Sequence, residues 1–297
     1  MIELNNRNNI SPFSGDILDI IFKMAQEYAD NMASIGNSFD ATIEGELKTI
    51  VLPYLIAMYG KMITAYRLLN GYSLQDLHPS MPGVSNDPIV LYDLVRSMYE
   101  CFLQSHFIIN RYPTSADKKY IILWWGCRAL TERGMLAATS KLENDQLRRE
   151  ADFIAANTAE IVKNHAGRLQ TDRDEFGFRK NEQLANWPKP GKLCRHTGIH
   201  HSHHDYLYKI SSLYAHAEPF AIMQVRCIYK YSIDHLDEGI RTHGRDIVNL
   251  GLIALDNFSQ VFPEIRRRIG HSPGLPEMIN KAKAYYSLSR AAISNRE

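Results

Sequence analysis

The sequence predicts an all-α protein, a bundle of long helices with a helical C-terminal extension, folded as one domain over residues 1–297. Three observations carry this expectation. Apolar residues recur every three or four positions through most of the chain, the period that gathers them on one helical face. Breaks in that period coincide with proline, glycine and capping residues. The composition, 45% hydrophobic and 23% charged, is that of an ordinary globular chain long enough to bury a core.

Ile17, Ile20, Ile21, Met24 and Tyr28 mark a first helix over residues 15–34, with Ser14 or Asp16 placed to cap it. Ile43, Leu47, Ile50, Tyr54, Met58, Met62 and Tyr66 stripe a second over 40–69, in which Pro53 predicts a kink. Residues 71–87 are rich in Pro, Gly and polar side chains and read as a loop. Asp87 before Pro88 has the form of an N-cap with proline at the first helical position. Leu91, Val95, Met98, Phe102 and Ile109 continue one buried face from there to Arg111.

Pro113, Thr114 and Ser115 open an unusually apolar helix lined by Tyr120, Leu123, Trp124, Cys127 and Leu130. Residues 144–165 are charged, with apolar anchors only at Phe153, Ile154, Ile161 and Val162, so this helix is expected to project and to stop at Gly167. Residues 171–192 lack a sustained period and carry Pro188 and Pro190 beside Trp187, the pattern of a long connecting loop that could cover a site. A further helix is expected over 201–215. The β-branched and aromatic stretch 225–233 fits a short strand pair. Ile247, Leu250, Ile253, Leu255 and Phe258 mark a helix stopped by Pro263, where Arg266, Arg267 and Arg268 read as a solvated turn. An Ala-rich helix over 276–294 ends the chain.

With 34 Lys and Arg against 33 Asp and Glu, the chain lacks the global positive field of a nonspecific nucleic-acid binder, and any such binding must be local. Its four cysteines form no CxxC pair, so free thiols are expected rather than a disulfide framework. The first 12 residues are polar and Asn-rich, unlike an export signal, and the longest apolar runs fall far short of the roughly 20 residues that span a bilayer. A cytoplasmic protein with no membrane partner is the expectation. No GxxxxGK, GxGxxG, GxSxG or HExxH motif is present, which removes several common catalytic classes.

Three constellations remain. Residues 194–205 hold five of the 12 histidines, and on a helix His200 and His204 lie one turn apart, a spacing able to seat a divalent metal with His196 or Asp205 nearby. An exposed loop-to-helix junction accounts for the same residues without a ligand. Next, Tyr208, Ser212 and His216 follow at four-residue steps and would place an imidazole general base beside hydroxyls, as phosphodiester cleavage requires. A buried polar seam is the alternative. Finally, Asp93, Arg96 and Glu100 fall at i, i+3 and i+7 among Leu94, Val95, Tyr99 and Phe102, either a salt-bridge ladder or a polar cluster facing the histidine helix. Arg128 and Glu132 repeat that spacing on the next helix.

The order of Leu94-Val95-Arg96-Ser97-Met98-Tyr99-Glu100, then Trp187, then Tyr208-Lys209-Ile210-Ser211-Ser212-Leu213-Tyr214-Ala215-His216 resembles an uncharacterised bacterial helical family, number 5677 among domains of unknown function. The likeness spans residues 47–262. That family is distantly similar to the higher eukaryote and prokaryote nucleotide-binding (HEPN) bundles, many of them metal-independent ribonucleases of toxin and phage-defence systems. The resemblance implies an arginine and a histidine separated by four to six residues. His216 matches the histidine, but Lys209 stands at the outer permitted spacing in place of arginine and lacks the bidentate guanidinium fork.

Two functional expectations follow. One is an RNA-cleaving effector in which His216 is the acid/base, Lys209 contacts phosphate, Tyr208 and Ser212 position substrate, and Arg96 and Glu100 join the site. The other is a non-catalytic helical binding or regulatory module with RNA or a protein as partner. Oligomerisation is compatible with both.

Overall fold

The computed structural model describes residues 12–35, 39–70, 72–73, 84–85, 88–134, 140–180, 182–215, 233–290 and 292. The protein is all-α, as its periodicity predicts. Its helices are α1 (Pro12–Ser34), α2 (Ile43–Asn70), α3 (Pro88–Asn110), α4 (Ser115–Gly134), α5 (Lys141–Asn164), α6 (Ala166–Phe176), α7 (Pro190–Cys194), α8 (His201–His204), α9 (Ser211–Ala215), α10 (Ile233–Phe258), α11 (Pro263–His271) and α12 (Leu275–Ser287). A π-helical turn, Asp205–Ile210, joins α8 to α9. Strands β1 (Tyr72–Ser73) and β2 (Val84–Ser85) form a two-residue antiparallel pairing.

Where the sequence suggests one domain, the chain divides into two compact units. Residues 1–37, 52–105 and 198–297 form the first, and 38–51 with 106–197 the second. In the first unit α10 packs against α1 and α12. Ile21, Met24 and Tyr28 of α1 are fully or almost fully buried, as are Ile247, Leu250 and Phe258 of α10. The Tyr28 hydroxyl donates to the Gly251 carbonyl at 2.8 Å. A Cβ at Gly251 would lie 1.8 Å from Met62 Cε, so glycine here lets α10 approach the α2 methionine closely.

The second unit is centred on Trp124, Tyr120 and Phe107, each at most 1% exposed. Burying such aromatics supplies roughly 1.5–3 kcal/mol apiece. The Trp124 indole N–H donates to the Ala185 carbonyl at 3.0 Å, pinning the loop that follows α6. α5 lies along α4 instead of projecting, joined to it by the Arg133–Glu150 and Lys119–Glu160 ion pairs. Ser140 caps α5, its hydroxyl accepting the Glu143 N–H at 3.2 Å. Ser140→Ala should lower stability by about 1 kcal/mol, read as a shift in urea midpoint without a change in slope.

Several expectations are corrected. α6 runs to Phe176, so the loop expected over 171–192 is shorter, and Gly167 sits inside α6 rather than ending a helix. Arg128 does not pair with Glu132; it donates to the carbonyls of Leu184 and Ala185 and forms an ion pair with Glu182. The Arg266–Arg268 run is helical within α11, where Arg268 reaches Asp30 at 2.8 Å. The Asp87 cap lies outside the described residues, and so does the strand expected over 225–233, except Ile233, which opens α10.

Cys101, Cys127 and Cys194 are buried and none is in a disulfide. Burial pushes the Cys101 thiol up to about 12, which keeps it protonated. Among the described residues, no helix is long and apolar enough to cross a membrane.

Candidate functional site

In the first unit α3 and the π-helical turn bring together several of the singled-out residues. Arg96 Nε donates to Glu100 Oε1 at 3.1 Å, one helical turn along α3. The Arg96 guanidinium lies over the Tyr208 ring, 4.8 Å from its centroid, and Tyr208 stacks on His204 with ring planes 8° apart. His204 Nδ1 and the Tyr99 hydroxyl share a hydrogen bond of 3.0 Å. Guanidinium, phenol and imidazole therefore form one continuous series anchored at both ends on α3. Burial lowers the His204 pKa, with Asp205 opposing and Lys209 adding to the effect, so the imidazole is neutral near pH 7.

The remaining expected residues take other places. Lys209 is exposed and pairs with Asp205 at 2.7 Å. The Ser212 hydroxyl donates to the Tyr208 carbonyl at 2.7 Å, a bond within its own helical run. Because residues 205–210 form a π turn, wider than an α turn, steps of four no longer keep one face across this segment. His216 lies outside the described residues.

The expected metal seat of His196, His200 and His204 is not assembled. His200 is not inside a helix but at its N-cap, where Nδ1 accepts the Ser202 N–H at 3.2 Å. His204 is engaged by Tyr99, and His196 is engaged by Glu175. Among the described residues, no three His, Cys, Asp or Glu side chains are grouped to hold a metal.

The second unit contains a recess of about 90 Å³ lined by His106, Phe107, Asn110, Arg111 and His196. His196 Nε2–H donates to Glu175 Oε1 at 2.9 Å. Arg111 Nη2 bridges Glu175 at 2.6 Å and the fully buried Asp172 at 2.7 Å. Desolvation disfavours the Arg111 cation, but its hydrogen bonds and proximity to Asp172 and Glu175 outweigh that and raise its pKa. His106 Nε2–H donates to the His196 carbonyl at 3.0 Å, and its Nδ1 accepts from Asn110 Nδ2 at 3.3 Å, which fixes its neutral tautomer.

No family model, curated protein or solved structure matches the chain. The site therefore rests on geometry alone. His106, Asn110, Arg111 and Glu175 are absent from the sequence-based candidates. A signal for part of this group exists in the four-residue spacing of His106 and Asn110 at the end of α3, beside Arg111. Nothing local marks Glu175 as the partner of a histidine 21 residues away.

Proposed function

We propose that the chain is an RNA-processing protein that cleaves single-stranded RNA at the α3 and π-turn cluster of its first unit. The observation that carries this reading is the Tyr99–His204–Tyr208–Arg96 series: a neutral imidazole, held by a phenol, next to aromatic and guanidinium surfaces of the kind that stack unpaired bases. In this reaction His204 takes the proton of a ribose 2′-hydroxyl, the 2′-oxygen attacks the adjacent phosphorus, and the bond to the 5′-oxygen breaks. The leaving oxygen recovers a proton, giving a 2′,3′-cyclic phosphate and a 5′-hydroxyl. Lys209 or Arg96 offsets phosphate charge. The role assigned to His216 by sequence passes to His204. The family resemblance adds the expectation of a cytoplasmic bacterial toxin or phage-defence effector.

A fluorescently labelled single-stranded RNA tests this. Wild-type protein should cleave it, and His204→Ala should slow cleavage by about 10²-fold or more with binding retained. Inert wild-type protein, or a variant as fast as wild type, would overturn the assignment. One observation favours a non-catalytic binding module: Arg96 and Lys209 are already paired with Glu100 and Asp205. Wild-type protein that binds RNA without cutting it would establish that second reading.

A further inference from the structure

The recess of the second unit has a donor and acceptor pattern with no role in the chemistry above. In the neutral ring, with Nε2–H committed to Glu175, His196 has Nδ1 as its acceptor nitrogen. Arg111 Nε–H is buried and has no acceptor, an orphan donor of the kind that a bound carbonyl satisfies. Charge limits what can enter. The single Arg111 cation is shared by two carboxylates, Asp172 and Glu175, so a further anion meets net negative charge while a neutral ligand does not.

Shape limits it further. A space of 90 Å³ corresponds to roughly three water molecules in the liquid, enough for the edge of a six-membered ring. Phe107 supplies an aromatic wall, with His196 at 5.6 Å and Trp187 at 5.5 Å between ring centroids.

We propose that the recess is a nucleobase subsite that takes the lactam edge of uracil. The carbonyl accepts from Arg111 and the neighbouring ring N–H donates to His196 Nδ1. The choice of a nucleobase rests on the RNA reading above. Cytosine reverses part of this edge, offering an amino donor and a ring-nitrogen acceptor, and so places donor against donor and acceptor against acceptor.

The test is a titration of the full-length protein with uridine, cytidine and inorganic phosphate, followed by tryptophan fluorescence. Trp187 lies 4.8 Å from Trp124 and 5.5 Å from Phe107, so occupancy of the recess should perturb the signal. Uridine should saturate, and cytidine should bind at least tenfold more weakly. His196→Phe, which keeps the aromatic packing and removes the acceptor, should weaken uridine at least tenfold. Equal binding of the two nucleosides, or no saturable uridine binding, would overturn the proposal. Phosphate that saturates and displaces uridine would overturn it in favour of an oxyanion site. The nucleoside comparison needs only wild-type protein, so it decides even if His196→Phe does not fold. Saturable uridine binding by a protein that leaves RNA intact would keep the subsite and remove the proposed cleavage.

Discussion

Asp172→Ala is expected to lower the stability of the second unit by about 3–5 kcal/mol, the range for removing one partner of a buried ion pair. Asp172 is fully buried, and both its oxygens are used: Oδ1 accepts from Arg111 at 2.7 Å, and Oδ2 accepts from the Tyr112 and Tyr120 hydroxyls, each at 2.8 Å. Three donors from the end of α3 and from α4 thus converge on one carboxylate of α6. Burial first, then the Asp172 charge, raises the pKa values of both phenols, so they remain donors throughout the ordinary pH range. Alanine would strand two buried hydroxyls and leave Glu175 as the only acid paired with Arg111.

Asp172→Asn separates charge from shape. It keeps one acceptor oxygen but turns an amide N–H₂ towards the existing donors, so a loss close to that of alanine is expected. Tyr120→Phe removes one hydrogen bond and should cost about 1 kcal/mol. Urea denaturation of the four proteins checks the series. An Asp172→Ala loss below about 1 kcal/mol would mean that the network adds little beyond packing.

The fold was legible because helix periodicity is a local property. The apolar stripe of Ile21, Met24 and Tyr28, and that of Leu91, Val95, Met98 and Phe102, are the same residues that become buried. Boundaries failed where a tertiary partner decided them. α6 continues through a charged stretch because Leu169 and Asp172 are both buried, a hydrophobe and an acid on one side of a helix with little amphipathic pattern. Arg128 departs from its i+4 acid for the same reason: the carbonyls of Leu184 and Ala185 are held against it by a loop nearly 60 residues away. Division into two units was hidden because α2 and α3 each contribute residues to both, leaving no Pro- or Gly-rich linker to mark a boundary.

Of the candidate site, the pairing of Arg96 with Glu100 was readable from spacing, as was the presence of polar residues on the Tyr208 segment. Their convergence with Tyr99 and His204 was not. It depends on the π turn, whose sequence Asp205–Ile210 has no distinguishing composition. The histidine cluster misled because density of one residue type says nothing of direction. One ring caps a helix, one meets a phenol, one meets Glu175, and His203 is buried with Nε2–H donated to the Leu288 carbonyl at 3.0 Å.

Asp246→Asn should stabilise the first unit by about 4 kcal/mol at pH 8 and by almost nothing at pH 4. Asp246 on α10 is fully buried, and neither carboxylate oxygen has a hydrogen-bond partner. Burial pushes its pKa up to about 7 against the pull of Arg290 and Arg245, while the Tyr206 and Tyr286 phenols near it are themselves pushed upward. An acid with a raised folded pKa keeps its proton longer in the native state than in the unfolded chain. Its contribution is fully present below the unfolded value near 4, declines as pH rises, and is lost above 7. Three pH units at about 1.4 kcal/mol each give the predicted difference.

His203 and His243 act in the opposite direction. Burial and the Arg290 charge pull both down to about 4, so their contribution is present above the unfolded value near 6.5 and lost as pH falls towards 4. In the wild-type protein the acid therefore offsets part of the histidine gain between pH 4 and 6.5, and its own loss continues from 6.5 to 7. Asparagine resembles the protonated acid in shape and charge, so the variant should gain stability steeply up to pH 6.5 and then stay level. Urea midpoints at half-unit intervals from pH 4 to 8 distinguish this from a simple packing effect, which would shift every midpoint by the same amount.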